Sequence, residues 1–229
     1  MAEANRPQMS ETFLLGAVLS LAGGFLDAYT YLVRGGVFAN AQTGNVVLLG
    51  INLMDRDWAR AGRYLVPILA FAAGVLTARL VHDHLDQRGR LHWRQLTVGA
   101  EILLLLAVAA LPTAASGAAN VLVSYVCAIQ AESFRKFNGN VFASTMCTGN
   151  LRSGTEQLYQ YWRAGGGEHG RRAAQYYGIV LFFAAGAALG AWCSRLWGRP
   201  AALGAGALLI LAFFLMFQRK TLAGQQKGV

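Results

Sequence analysis

Long apolar runs separated by short polar stretches dominate the chain. A helix that crosses a bilayer needs roughly 20 apolar residues, because the hydrocarbon core is about 30 Å thick and each residue adds about 1.5 Å. Six runs approach this length, at residues 12–33, 64–81, 95–111, 118–134, 173–197 and 201–217. A seventh apolar piece, residues 37–53, is shorter and carries several amide and hydroxyl side chains. The pattern predicts an all-α membrane protein with six transmembrane helices, the first of which is retained and is not a signal peptide.

Composition and charge support this prediction. Charged residues are 14% of the chain, against about 25% in soluble domains, and 55% of the residues are apolar, which excludes a disordered chain. With six crossings, 14 of the 20 lysines and arginines fall on the face that holds both termini. Cytoplasmic loops carry such an excess, so both termini are expected in the cytoplasm of a multi-pass protein. The net charge of +9 is dispersed over the membrane flanks, and a nucleic-acid partner is not expected.

An internal repeat is the most informative feature of the sequence. Residues 37–45 read VFANAQTGN, and residues 141–150 read VFASTMCTGN. The next predicted span repeats as well, because residues 71–74 and 183–186 both read FAAG. The polar Thr-Gly-Asn motif falls at the same place in each half, which makes it stronger evidence than the Ala and Gly matches. The chain therefore divides into residues 1–112 and residues 113–229, each with three spans and one motif.

Three spans are an odd number, so the second half must enter the membrane from the side opposite to the first. This is an inverted-topology repeat, which many transporters use to place a binding site near the midplane where the repeats meet. The interpretation requires each motif segment to be a broken or re-entrant helix. Residues 151–163 contain Arg152 and Glu156, which are too costly for a lipid-facing span. An eight-span parallel repeat is the main alternative.

The chain resembles the YoaK-type family of uncharacterised bacterial membrane proteins over nearly its whole length. The resemblance rests on residues 24–28 (GFLDA), on both Thr-Gly-Asn motifs and on Gln130. It implies a six-span protein of the bacterial inner membrane without an established molecular activity. That family often continues Gln-Asn-Ala where this chain has Gln130-Ala131-Glu132, so a polar equivalent of Asp27 at position 131 is lost here.

Asp27 is the main candidate for chemistry within the spans. A carboxylate deep in a span costs about 2.5 to 3.5 kcal/mol on insertion scales, so it should face the interior of the bundle. It would act there as a proton or cation relay or as a ligand for a polar solute. The alternative is structural: Asp27 would hydrogen-bond to the broken segment of the neighbouring motif and hold it.

The Thr-Gly-Asn motifs have the chemistry of a helix restart, because Thr can cap, Gly permits tight geometry and Asn both donates and accepts. Two such helix ends would present N–H groups to a small anion or a neutral polar molecule. Alternatively, the two Asn amides would pair with each other across the repeat. The predicted substrate-binding residues, all polar or glycine, are Asp27, Asn40, Gln42, Thr43, Gly44, Asn45, Gln130, Thr148, Gly149 and Asn150.

Two charged residues near span ends have competing interpretations. Glu132 would serve, with Asp27, as a gate or coupling carboxylate, or it would pair with a basic group at the membrane interface. Arg34 ends the first span and is expected to extend its guanidinium to the water as a flanking residue.

The favoured function is a secondary transporter or facilitator of a small polar solute or ion across the inner membrane, with its site at the repeat interface. The alternative is a non-transporting scaffold or sensor protein. No enzyme is expected, because no span carries a His for a nucleophile and Asp27 is the only intramembrane Asp. No cofactor and no metal are expected. The lipid bilayer and an unidentified solute are the expected partners, and a homodimer is compatible with the small size.

Overall fold

A computed structural model describes residues 12–85, 93–137, 140–141 and 147–225, with backbone only for residues 85, 136–137, 140–141 and 217–225. In this part of the chain the structure is helical apart from two-residue strands. The helices are α1 (Phe13–Val33), α2 (Gln42–Met54), α3 (Trp58–Leu85), α4 (Trp93–Ala110), α5 (Ser116–Ser133), α6 (Cys147–Ala164), α7 (Gly167–Trp197) and α8 (Ala202–Gln225). Short 3₁₀ turns precede α5 and α8, at Thr113–Ala115 and Arg199–Ala201.

Six helices are long and apolar enough to cross a membrane, namely α1, α3, α4, α5, α7 and α8. They correspond to the six predicted spans, so the multi-pass prediction is confirmed at this level. Helix α2 has 13 residues and a length of about 20 Å, which is too short for a crossing. Helix α6 is strongly amphipathic and packs against α7.

The strands β1 (Lys136–Phe137) and β2 (Asn140–Val141) form a small antiparallel pair between α5 and α6, with Phe137 opposite Asn140. The sequence analysis predicts no strand there. With only two residues each, the strands do not change the helical architecture.

Helix α1 lies at the centre of the bundle. Most of its residues are buried, and it packs against α7, α8 and α5. Leu19, Phe25 and Leu26 of α1 join a single core with residues of α4, α5, α7 and α8, including Val98, Val123 and Leu209. Most of α3, in contrast, is exposed to the outside of the bundle.

The helices pack in a pattern that has a two-fold character. If α1 to α4 are matched in order to α5 to α8, then the packing of α1 on α7 corresponds to that of α5 on α3. In the same way α2 on α3 corresponds to α6 on α7, and α4 on α5 corresponds to α8 on α1, while α4 on α8 corresponds to itself. Each of these helix contacts therefore has a counterpart when α1 to α4 are matched to α5 to α8.

Helices α1 and α5 run in opposite directions. Near the start of α5, Asn120 Nδ2 donates to the carbonyl of Arg34, which follows the end of α1, at 2.9 Å. Near the end of α5, Gln130 Nε2 donates to the carbonyl of Leu19, in the first half of α1, at 3.0 Å. The two counterpart helices are thus antiparallel neighbours.

Candidate functional site

A non-helical segment, residues 34–41, connects α1 to α2, and we call it the elbow. Positive φ angles at Gly35 (90°) and Gly36 (77°) turn the chain back, a conformation that glycine adopts without strain. The elbow then returns to α1, where Val37 and Ala39 are fully buried. The first half of the first motif, residues 37–41, lies in this non-helical segment, and α2 begins at Gln42.

Asp27 holds the elbow against α1. Its Oδ1 accepts a hydrogen bond from the Asn40 backbone N–H at 2.7 Å. Asn40 in turn donates from Nδ2 to the Gly23 carbonyl at 2.9 Å. The structural alternative, in which Asp27 hydrogen-bonds to the neighbouring motif, therefore describes its contact with Asn40.

Asn45 closes the elbow from the other side. Its Oδ1 accepts from Phe38 N–H at 3.2 Å, and its Nδ2 donates to the Phe38 carbonyl at 2.7 Å and to Gln42 Oε1 at 2.9 Å. Gln42 Nε2 donates to the Ala39 carbonyl at 2.8 Å, and Gly44 lies against the ring of Phe38. Asn45 is completely buried, and its amide is used within its own motif. The predicted pairing of the two Asn amides is therefore not the arrangement of Asn45.

The second motif opens α6. Helix α6 begins at Cys147, so Thr148, Gly149 and Asn150 form its first turn. Residues 142–146, which complete the repeat, lie outside the described residues. Like Asn45, Asn150 is buried, whereas the preceding residues of the turn reach a cavity.

The two motifs meet in one cavity of about 480 Å³. The first motif and α1 contribute Asp27, Asn40, Ala41, Gln42 and Thr43, and the second motif contributes Cys147, Thr148 and Gly149. The remaining lining residues are Ile68, Phe71, Ala72 and Phe183. Thr43 and Thr148 occupy matching positions of the two sequence motifs, and Phe71 and Phe183 occupy matching positions of the two FAAG segments.

Polar groups in the cavity suit a polar ligand. Asn40 is 2% exposed, and its Oδ1 accepts no hydrogen bond from the described residues. Asp27 brings one carboxyl group. The N-terminal ends of α2 and α6 contribute about half a positive charge each, which together offset one carboxylate. Asp27, Gln42, Thr43 and Thr148 supply polar side chains to the cavity, and the rest of its lining is mainly apolar.

Some predicted site residues lie elsewhere. Gly44, Asn45 and Asn150 do not line this cavity, because they are used in folding the motifs or are turned into the protein. Gln130 is buried between α5 and α1, where it binds the Leu19 carbonyl. Glu132 lies at the end of α5 and pairs with Arg79 at 2.7 Å and with Arg135 at 3.4 Å. Glu132 thus pairs with basic residues, as the second of its two interpretations expects.

The expectation for Arg34 is wrong. The side chain is 1% exposed and does not reach the water. It follows α1 directly and donates to the carbonyls that end α4, where a cation is electrostatically favoured. An arginine at the end of an apolar run fits either arrangement, so the sequence alone does not distinguish them.

Sequence analysis also missed Glu101. This residue lies in the middle of α4 and is completely buried. The sequence carries a signal for it, because Glu101 is the one acidic residue in the apolar run at 95–111.

Six helices that are long and apolar enough to cross a membrane define the class of this protein: it is a multi-pass α-helical membrane protein. The chain belongs to the family described as "Protein of unknown function (DUF1275)", whose model matches residues 15–216. An uncharacterised membrane-protein family was expected, and the family match supports this expectation. No curated protein and no solved structure matches the chain.

Proposed function

We propose that the protein is a secondary transporter or facilitator of a small polar solute or ion in the bacterial inner membrane, with both termini in the cytoplasm. The observation that carries the proposal is the convergence of both motif copies, with Asp27, on one cavity. Binding sites of transporters lie at such repeat interfaces, where helix ends and broken backbone supply ligand contacts. The cavity volume falls within the usual range for small-molecule sites.

The proposal includes an inverted repeat of residues 1–112 and 113–229. Each half has three helices that are long and apolar enough to cross a membrane and one helix, α2 or α6, that is not. The antiparallel neighbours α1 and α5 support inversion, because counterparts in a parallel repeat would point the same way. Helix α2 is too short to provide the extra crossing that an eight-span arrangement requires.

In the proposed mechanism the halves rock around the cavity, which opens to one side of the membrane at a time. Asp27 contributes in two ways: one oxygen holds the elbow, and the carboxyl group faces the solute. A solute that binds the carboxyl would therefore act directly on the position of the elbow. This link between binding and backbone geometry is what a coupling residue needs.

The scaffold or sensor alternative draws on the same elbow. Asp27 Oδ1 and the whole Asn45 amide serve the fold, as they would in a protein that transports nothing. The two functions differ in whether the cavity binds a solute through Asp27.

The test is a thermal-shift screen of purified protein in detergent with alkali cations, amino acids, amines, sugars and polyols. We expect one class to raise the melting temperature of the wild type and to lose this effect in Asp27→Asn. Asparagine keeps an Oδ1 acceptor for Asn40 N–H, so we expect the melting temperature without solute to change by only a few degrees.

Asp57→Asn is the matched control, because Asp57 pairs with Arg60 outside the cavity and should leave the solute effect intact. A solute that stabilises wild type and Asp27→Asn equally would contradict the role of Asp27. A screen in which nothing stabilises the wild type would favour the scaffold or sensor.

A further inference from the structure

Glu101 is a second acidic residue within the bundle, separate from the cavity lining. It is the ninth of the 18 residues of α4, and its side chain is completely buried. It lies on the face of α4 that also buries Val98, Leu105 and Val108. Neither Oε1 nor Oε2 has a hydrogen-bond partner among the described residues.

The elements around α4 bring few ionisable groups to Glu101. From α5, Cys127 belongs to the same buried core as Val98 and Leu105 of α4. Helix α8 contains no ionisable residue between positions 202 and 216. His82 of α3 contacts Trp93 at the first residue of α4, and Arg199 binds the Leu111 carbonyl just beyond its last residue.

An ionised carboxylate without a donor is costly in such a position. Buried charges in proteins are paired, hydrogen-bonded or neutralised, because removing them from water without compensation costs many kcal/mol. Glu101 has no counter-charge and no donor in the described part of the structure. Protonation of the carboxyl group removes the free-energy cost of burying an unpaired charge.

We propose that Glu101 is a proton-binding site whose carboxyl group holds a proton while the bundle is closed and exchanges it when the bundle opens. Loss of the proton breaks the carboxyl O–H bond, leaves the electron pair on oxygen and gives hydronium with an incoming water molecule. The resulting carboxylate needs water, so release requires α4 and α5 to separate locally. Use of this proton to drive a solute rests on the proposed transport function, whereas the proton site itself does not.

The experiment is infrared spectroscopy of the purified protein in H₂O and in D₂O, because a protonated carboxyl has a C=O band apart from the amide bands. We expect such a band in the wild type at neutral pH and its loss in Glu101→Gln. If Glu101→Gln does not fold, Glu101→Met has an apolar side chain and should also lose the band, which would assign the band to Glu101. Transfer of the wild type to D₂O should shift the band within minutes.

Glu156→Gln is the matched control, since Glu156 is exposed on α6 and its loss should leave the band unchanged. Asp27→Asn should also keep the band that belongs to Glu101. A spectrum in which Glu101→Gln removes no band would overturn the proposal, and so would a Glu101 band that stays unshifted after hours in D₂O. If no solute stabilises the wild type in the thermal-shift screen but the Glu101 band still shifts in D₂O, the proposed transport function is rejected and the proton site stands.

Discussion

Gly186→Ala is expected to destabilise the protein more than a Gly→Ala substitution at any other glycine of α7. A β-carbon at Gly186 would overlap the carbonyl oxygen of Leu21, and it would lie 2.7 Å and 2.8 Å from the Leu21 C and Cα atoms. These are backbone atoms of α1, so no side-chain rotation relieves the contact. Overpacking of this kind costs about 3 kcal/mol. The two helices would have to separate where they pack most closely.

The measurement is the melting temperature in detergent, together with the fraction of monodisperse protein. Gly99→Ala is the matched control, because a β-carbon at Gly99 in α4 has no atom within 4 Å. Alanine is a better helix former than glycine by about 1 kcal/mol, so the control should melt at or above the wild-type temperature. Equal melting temperatures for Gly186→Ala and wild type would contradict the close crossing of α1 and α7.

The same experiment applies to the other half. Gly74, the counterpart of Gly186, would place a β-carbon 2.6 Å from the Tyr125 carbonyl oxygen and 2.7 Å from Ala128 Cβ. Counting from the repeat, Tyr125 and Ala128 of α5 occupy the places of Leu21 and Gly24 of α1. The two crossings are therefore equivalent, and the proposed repeat gains support from this correspondence.

Arg34→Met is expected to lower the stability by about 3 kcal/mol or more. The guanidinium donates to Tyr29 Oη at 2.8 Å and to the carbonyls of Val108 at 2.8 Å, Pro112 at 3.1 Å and Leu111 at 3.2 Å. Methionine fills similar space but removes all four hydrogen bonds, and the three carbonyls keep only their weaker donors, Leu111 N–H, Ala115 N–H and Arg199 Nη1. Hydrogen bonds from a charged group contribute about 1.5 to 3 kcal/mol each.

Thermal unfolding again provides the measurement, with Arg195→Met as the control. Arg195 is exposed near the end of α7, so its loss should leave the melting temperature within a few degrees of wild type. Arg34→Lys should recover part of the loss, because an ammonium keeps the charge but reaches fewer carbonyls. If Arg34→Met and Arg195→Met melt alike, the buried position of Arg34 is wrong.

The six membrane-length helices were predictable because a bilayer imposes a minimum length on apolar runs. Their ends were less predictable, since a helix continues past the hydrocarbon core. Helix α3 begins at Trp58, six residues before the predicted span at residue 64, because Arg60 and Arg63 are unfavourable in lipid but acceptable in a helix. Hydropathy reports the lipid-facing part of a helix and not its full extent.

The site was predictable at the level of motifs but not of side-chain directions. The repeated Thr-Gly-Asn motif contains Thr43 and Thr148, which line the same cavity. The motif does not indicate that Asn45 turns inward to Phe38 while Asn40, five residues earlier, lines the cavity. That division depends on the path of the elbow, which the glycines at 35 and 36 permit but do not specify.

The central claim is that the two motif copies meet in one cavity, and a cross-link between them tests it most directly. Cys147 is the partly exposed natural thiol in the described residues, since Cys127 and Cys193 are buried. With Thr43→Cys, a short bifunctional thiol reagent should join position 43 to Cys147 within one chain, as read by peptide mass spectrometry. Met54→Cys, at the far end of α2, should give no such link. A link from position 54, or none from position 43, would contradict the shared cavity.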